Sequence, residues 1–152
     1  MEGSLENMFF KGRYQFLSNF YFAKFLYHGT FWKTVEHAFQ ASKCKDLEMD
    51  EEIRKVDRPA EAKKMGHRVD LRSDWEEVKV DIMTELVFRK FNQNKELKKK
   101  LLATGNLELE EGNSWHDNFW GNCYCDKCKD TPGVNVLGII LEEVRDNLRK
   151  RK

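Results

Sequence analysis

The chain has 152 residues, 40% of them hydrophobic and 35% charged, with a formal net charge of +1. That length and composition predict one globular domain with a real core, and the near-neutral balance excludes a bulk field directed at nucleic acid or membrane. The longest apolar run, Val136 to Leu141, is far too short to cross a bilayer, and Met1 to Gly12 lacks a basic start followed by an apolar stretch. The expectation is therefore a cytoplasmic protein with its four cysteines reduced and no membrane partner.

Met8 to Tyr27 is rich in aromatic residues and predicts short strands near Met8–Phe10 and Phe22–Tyr27. A turn at His28-Gly29 leads into Thr30–Trp32 and makes a hairpin. The stretch from Thr34 to Lys45 predicts a helix with Thr34 as N-cap and Glu36 in the first turn, where a carboxylate suits the helix dipole. Val35, Ala38, Phe39 and Ser42 mark one, mostly apolar face; Glu36, Gln40 and Lys43 share the same spacing on a polar one. A short helix is expected around Ile53. Another opens at Pro59, with Gly66 at its C-cap. Asp74 and Glu77 form a capping-box pattern before a strongly periodic helix through Val78, Ile82, Met83, Leu86 and Val87 to about Phe91. Asn94 is read as the cap of a helix with Leu97, Leu101 and Leu102 inward and Gly105 as its stop. Leu107-Glu108-Leu109-Glu110 alternates like a strand. Gly112 to Gly133 is aperiodic, and a loop of that length inside a compact domain is usually functional or tied down. A final helix covers about Asn135 to Leu148. The basic runs Lys98-Lys99-Lys100 and Arg149-Lys150-Arg151-Lys152 read as solvated ends.

Several residues carry chemistry, each with a plainer reading beside it. Glu36 is a general base or a ligand for a ribose hydroxyl, or it only stabilises its helix. Lys43 is a nucleophile if burial or neighbours lower its pKa, because a neutral amine attacks a carbonyl; otherwise it is one more solvated lysine. Asp117, between Trp115 and Trp120, is a desolvated acid suited to proton transfer, or an Asx turn. Trp75 and Trp120 stack a base or belong to the core. An exposed aromatic beside Asn19, such as Phe20, is a further stacking surface. Cys123-x-Cys125-x-x-Cys128 with His116 nearby has the residue types of a zinc site. Only one C-x-x-C pair is present, however, and the fourth ligand is left open between His116, Cys44 and another group. The alternative is a loop of reduced thiols, and no metal is assigned.

The chain resembles the YbiA-like, or NADAR (NAD- and ADP-ribose-associated), domain family. The resemblance runs from Phe9 to Leu148 through ordered blocks. These are Leu17-Ser18-Asn19-Phe20, Thr34-Val35-Glu36-His37-Ala38-Phe39-Gln40-Ala41-Ser42-Lys43 and Pro59-Ala60-Glu61-Ala62-Lys63-Lys64-Met65-Gly66. Then come Arg72-Ser73-Asp74-Trp75-Glu76, Lys90-Phe91-Asn92-Gln93-Asn94, Leu101-Leu102-Ala103-Thr104-Gly105, Asp117-Asn118-Phe119-Trp120-Gly121 and Asn135-Val136-Leu137-Gly138. It implies an α+β fold, mostly helical, a single domain over residues 1–152 with a small N-terminal β-hairpin. It also implies an N-glycosidase acting on ADP-ribose or another nucleotide-like small molecule. The substrate would be ADP-ribosylated guanine in DNA or RNA, or a phosphoribosylamino-pyrimidine intermediate of riboflavin synthesis.

In such proteins the residue matching Lys43 is thought to form a Schiff base with the ribose C1′. Those matching Glu36 and Asp117 handle protons and hydroxyls, and those matching Trp75 and Trp120 frame the pocket. Asn19, Phe20 and Gln40 join the expected substrate-binding set. The expectation is a monomer that needs no cofactor, with a non-catalytic NAD- or ADP-ribose-binding module as the alternative. One departure stands out: many members have a short glycine-rich link after the Trp-Gly pair, whereas here it is longer and carries Cys123, Cys125 and Cys128. That departure weighs against carrying over the riboflavin-type substrate.

Overall fold

The structure, a computed structural model, describes residues 9–151. These form two compact units, one built from 19–95 and the other from the residues up to Ser18 together with those from Glu96 onward. The fold is mostly helical, with two small two-stranded sheets. No helix among the described residues is long and apolar enough to cross a membrane.

The 19–95 unit begins with an antiparallel hairpin, β1 (Phe25–Tyr27) and β2 (Thr30–Trp32), in the register Phe25↔Trp32, Leu26↔Phe31, Tyr27↔Thr30. His28 and Gly29 take φ of 52° and 76°, the pair of left-handed residues that a tight type I′ turn requires. Its central element is α1 (Val35–Ser42), in which every residue from Val35 to Ala41 is buried. The Thr34 hydroxyl caps it by accepting from the His37 backbone N–H at 3.1 Å. The fully buried His37 ring lies 2.8 Å from that hydroxyl and 2.9 Å from the Val56 carbonyl. Burial holds the His37 pKa below its ordinary value. His37 is thus a bolt between α1 and the segment after α2 (Leu47–Lys55).

Helices α2, α3 (Pro59–Gly66) and α4 (Trp75–Gln93) all pack on α1. Asp46 caps α2 by accepting from the Glu48 N–H at 2.9 Å, and Glu61 reaches back to the Arg58 N–H at 3.1 Å at the start of α3. At its far end α4 meets the hairpin: the Gln93 side-chain amide accepts from the Leu26 N–H (2.7 Å) and donates to the Leu26 carbonyl (2.9 Å).

In the other unit a 3₁₀ helix (Gly12–Leu17) buries Phe16 and Leu17. Helix α5 (Lys95–Ala103) buries Leu97 and Leu101 and is stopped at Gly105, whose φ is 64°. Helix α6 (Val136–Lys150) buries Leu137, Ile140, Leu141, Val144 and Leu148 along one stripe. Arg145, also buried, donates to Thr104 Oγ1 at 2.9 Å and to the Leu107 carbonyl at 2.8 Å. A parallel pair, β3 (Gly112–Asn113) and β4 (Asn122–Cys123), lies within the aperiodic stretch.

Five local expectations are corrected. Of the strand placed at Met8–Phe10, Met8 lies outside the described residues; Phe10 has a φ of 50° in a turn, which no strand accommodates. Leu107–Glu110 is not a strand, because its polar groups go to α6 and the residue before it. The Leu109 N–H donates to Glu142 (2.8 Å) and the Leu109 carbonyl accepts from Asn135 Nδ2 (2.9 Å). Gly66 is the last helical residue rather than a left-handed stop, and its missing side chain makes room for Gln40. Asp74 precedes α4 without capping it, since its carboxylate is engaged by Arg72 at 2.6 Å and 3.1 Å. Asn94 closes α4 instead of opening α5: its Nδ2 donates to the carbonyls of Lys90 (2.8 Å) and Lys24 (3.2 Å).

Candidate active site

The polar face of α1 is not solvated. Glu36 is 7% exposed and Gln40 3%. Burying a carboxylate is costly unless hydrogen bonds replace its water. Here the Gln40 Nε2 donates to Glu36 Oε2 at 2.6 Å, one helical turn away. The Gln40 Oε1 is buried with no hydrogen-bond partner among the described residues. Gly66 leaves the space it occupies: a Cβ there would overlap Oε1 and stand 2.7 Å from Cδ. The Glu36 N–H donates to the Asn19 carbonyl at 3.0 Å, which ties the Asn19-Phe20 segment to the start of the helix. The Asn19 amide points to Met83 Sδ at 3.5 Å, and the Phe20 ring is 37% exposed with Lys63 Nζ 6.0 Å from its centroid.

Lys43 forms the C-cap of the same helix, and its own carbonyl accepts from the Arg72 N–H at 2.9 Å. Its side chain is half-buried, with Nζ 6.0 Å from the Phe39 ring centroid, and it makes no ion pair among the described residues. Burial lowers its pKa; the nearby Glu36 charge opposes the fall, and Lys63 and Lys79 add to it. A lysine so placed reaches the neutral, nucleophilic form at lower pH than a solvated one. Trp75 is 6% exposed and packs on Phe39 with centroids 5.1 Å apart, so its ring supports the helix that carries Lys43.

Lys90, to which sequence reasoning assigned no role, is 1% exposed. Its Nζ lies 5.7 Å from the Tyr21 ring centroid and 4.9 Å from that of Phe91. Burial pushes its pKa down to about 7. A signal was available in the periodicity: Lys90 follows Leu86 by four residues and Val87 by three, on the apolar stripe of α4.

Asp117 and Trp120 belong to the other unit. Asp117 is half-buried, and its Oδ1 accepts from the N–H groups of Phe119 (3.1 Å) and Trp120 (3.0 Å), the Asx-turn arrangement. Trp115, expected to help desolvate it, is 56% exposed. Trp120 is half-buried, with the Phe119 ring edge-on at 4.8 Å. The turn is shaped by the fully buried Asn113. Its Oδ1 accepts from Trp115 N (3.2 Å) and Asp117 N (3.1 Å), while its Nδ2 donates to the Asp117 carbonyl at 2.8 Å. Asn118, Phe119, Trp120 and Gly121 then accept, through their carbonyls, from the N–H groups of residues 134–137 at the head of α6. The same loop brings ligand atoms of His116, Cys123, Cys125 and Cys128 within 4.8 Å of one another.

Of the residues expected from sequence, Glu36, Gln40, Lys43, Asn19, Phe20 and Trp75 therefore gather around one helix, and Asp117 and Trp120 share one loop. A surface cavity of about 490 Å³ opens on the hairpin unit, lined among others by Tyr27, Trp32, Ser42, Cys44 and Arg72; it contains none of the expected catalytic or substrate-binding residues.

Comparison with known proteins places this geometry in a family. The NADAR domain model matches residues 8–149. The chain is 37% identical over 137 residues to a riboflavin biosynthesis protein of Vibrio vulnificus, covering 89% of this chain but only 36% of that longer protein. It is 40% identical over 126 residues to the N-glycosidase YbiA of Escherichia coli, covering 82% of this chain and 75% of the relative. It is also 39% identical over 138 residues to an N-glycosidase of Nostoc punctiforme, with 84% and 85% covered. The NMR structure of E. coli YbiA superposes with a TM-score of 0.79 at 35% identity, over 98% of this chain and 89% of that one.

Proposed function

The chain belongs to the NADAR domain family, and from that premise we propose that it is an N-glycosidase that hydrolyses the C1′–N bond of a ribosyl group carrying phosphate. The observation that carries the reading is the pairing, on one buried helix, of an amine of lowered pKa with a carboxylate held by a neighbouring amide. Lys63 and Lys79 act electrostatically on the same amine and give the site the sign that a phosphate-bearing substrate needs.

In the proposed reaction the C1′–N bond breaks, its electron pair leaves with the base, and Asp117 supplies the proton that the departing nitrogen takes up. The developing positive charge at C1′ is stabilised by the Glu36 carboxylate, as in glycoside cleavage generally. The neutral Lys43 amine bonds to C1′ and loses a proton; the C1′–O4′ bond then breaks, its electron pair stays on O4′, which takes up a proton, and an imine to Lys43 remains. Water then adds to the imine carbon, the C1′–N bond to Lys43 breaks, and the free sugar aldehyde and the amine are regenerated. The route calls for no metal or redox cofactor. Asn19, Phe20, Gln40, Trp75 and Trp120 are the proposed substrate-binding residues, Trp75 through its support of the helix. The chain is proposed to act as a single domain and as a monomer.

Two substrates discriminate the fine reading: ADP-ribosylated guanine in an oligonucleotide, and a phosphoribosylamino-pyrimidine. Release of base from either, with a sugar adduct trapped by borohydride on wild type and lost in Lys43→Ala, is the expected result. Folded protein that cleaves neither overturns the glycosidase reading, and calorimetric binding of ADP-ribose without turnover assigns it to a binding module. A trapped adduct that persists in Lys43→Ala removes Lys43 from the covalent role. Because the amine must be neutral, turnover should rise with pH and level off below the ordinary lysine pKa.

A further inference from the structure

We propose that His116, Cys123, Cys125 and Cys128 bind one zinc ion in a closed, structural site. The sequence contains one C-x-x-C pair and one C-x-C pair sharing Cys125. The fold brings a fourth ligand to them from seven residues upstream of Cys123. His116 Nδ1 lies 3.3 Å from the sulfurs of both Cys125 and Cys128 and 4.0 Å from that of Cys123. All four ligand atoms fall within 4.8 Å of one another. Tetrahedral zinc with bonds of about 2.3 Å to sulfur and about 2.0 Å to nitrogen sets its ligands about 3.5–3.8 Å apart. The observed cluster, whose widest separation is 4.8 Å, therefore needs side-chain adjustments of up to about an ångström, not a rebuilt loop.

Three further features favour a metal over a chance gathering of thiols. The four cysteines are unbridged. His116 holds a left-handed φ of 69°, an uncommon conformation for a residue with a side chain, at the point where its ring meets the thiols. The N–H groups of His116 (3.3 Å) and Cys125 (3.5 Å) both point at the Cys123 sulfur, the outer contacts that orient a thiolate ligand. Three thiolates and an imidazole are a zinc-type donor set. Four protein ligands leave no open position, so the ion would not activate water. Its effect is to staple residues 116–123. That segment contains Asp117 and Trp120, so the consequence for catalysis, though not the site itself, rests on the function proposed above.

The test uses the full chain purified under reducing conditions without chelator. Elemental analysis should find about one zinc per chain. The reduced, metal-free chain should take up one equivalent of cobalt, with the thiolate charge-transfer and tetrahedral d–d absorption of a sulfur-rich site. Cys125→Ser and His116→Ala should weaken that uptake at least about 100-fold, while Cys44→Ser leaves it unchanged. Wild-type protein that holds less than about a tenth of an equivalent and gives no cobalt spectrum overturns the proposal, whatever the variants do. So does a Cys125–Cys128 disulfide found by mass in place of the metal, or a loss in Cys44→Ser equal to that in Cys125→Ser. The two proposals separate cleanly, because Lys43→Ala should keep its zinc while losing the trapped adduct.

Discussion

Replacing Gly66 with alanine would set a methyl group into the space of the Gln40 side-chain amide, overlapping Oε1 and 2.7 Å from Cδ. Gln40 cannot yield without moving its Nε2, which is hydrogen-bonded to Glu36 at 2.6 Å. Overpacking of this kind costs about 1–3 kcal/mol. Loss of a hydrogen bond to a carboxylate adds about 1.5–3 kcal/mol. Against these stands a gain of at most about 1 kcal/mol from alanine over glycine in a helix. The expected net loss is about 2–4 kcal/mol, read as a lower urea midpoint at unchanged slope. Gln40→Ala removes both the overlapping atoms and the bond, so Gly66→Ala should cost little more in that background. The two substitutions should show a coupling of about 2 kcal/mol in a double-mutant cycle. A neutral or stabilising Gly66→Ala, or strict additivity with Gln40→Ala, would refute the claim that this glycine exists to seat Gln40 against Glu36.

Lys90 predicts a pH dependence of stability. Its folded pKa of about 7 lies below the ordinary value of 10.5, so between those pH values the unfolded chain binds a proton that the folded chain does not. Stability should therefore rise as pH increases from about 7 towards 10, relieving a penalty that is present in full below 7 and amounts to roughly 5 kcal/mol at most. Lys90→Met should flatten that slope and raise stability at pH 6; a variant that keeps the wild-type slope contradicts the assignment. Gly138→Ala should destabilise by more than about 3 kcal/mol, because its Cβ would overlap the Leu109 carbonyl and lie 2.6 Å from Asn135 Oδ1. Thermal melts of Gly138→Ala and an exposed control such as Ile139→Ala check this; equal midpoints would show that α6 slides to make room.

The hairpin was legible because His28-Gly29 is one of few pairs that accept two left-handed conformations, and α1, α4 and α6 because their apolar residues recur at helical spacing. Glu36 and Lys43 were visible as neighbours on a helix, but not as a buried carboxylate beside a half-buried amine. That depends on α2, α3 and α4 closing over α1, and on a glycine at position 66 that looked like a helix stop. The loop around Asp117 was unreadable for a different reason. Its shape comes from the side-chain amides of Asn113, Asn118 and Asn135 standing in for backbone partners, and the Asn118 Oδ1 accepts from Cys123 N at 2.8 Å. No periodicity records such bonds. His116 was named only as one of several conceivable ligands, because neither its left-handed backbone nor its 3.3 Å approach to two thiols is announced by its residue type.

The two bonds between Gln93 and Leu26 also bear on the outer edge of β1. The hairpin carries Leu26, Phe31 and the preceding Phe22 exposed at 39%, 54% and 59%. A two-stranded ribbon with apolar side chains outward and free amide groups along its rim is the kind of template on which other chains add strands. The Gln93 amide, with its donor and acceptor facing the Leu26 carbonyl and N–H, imitates one residue of a neighbouring strand and occupies the place where an incoming strand would have to pair. A side chain from a helix thereby takes the place of a strand partner at the middle residue of β1.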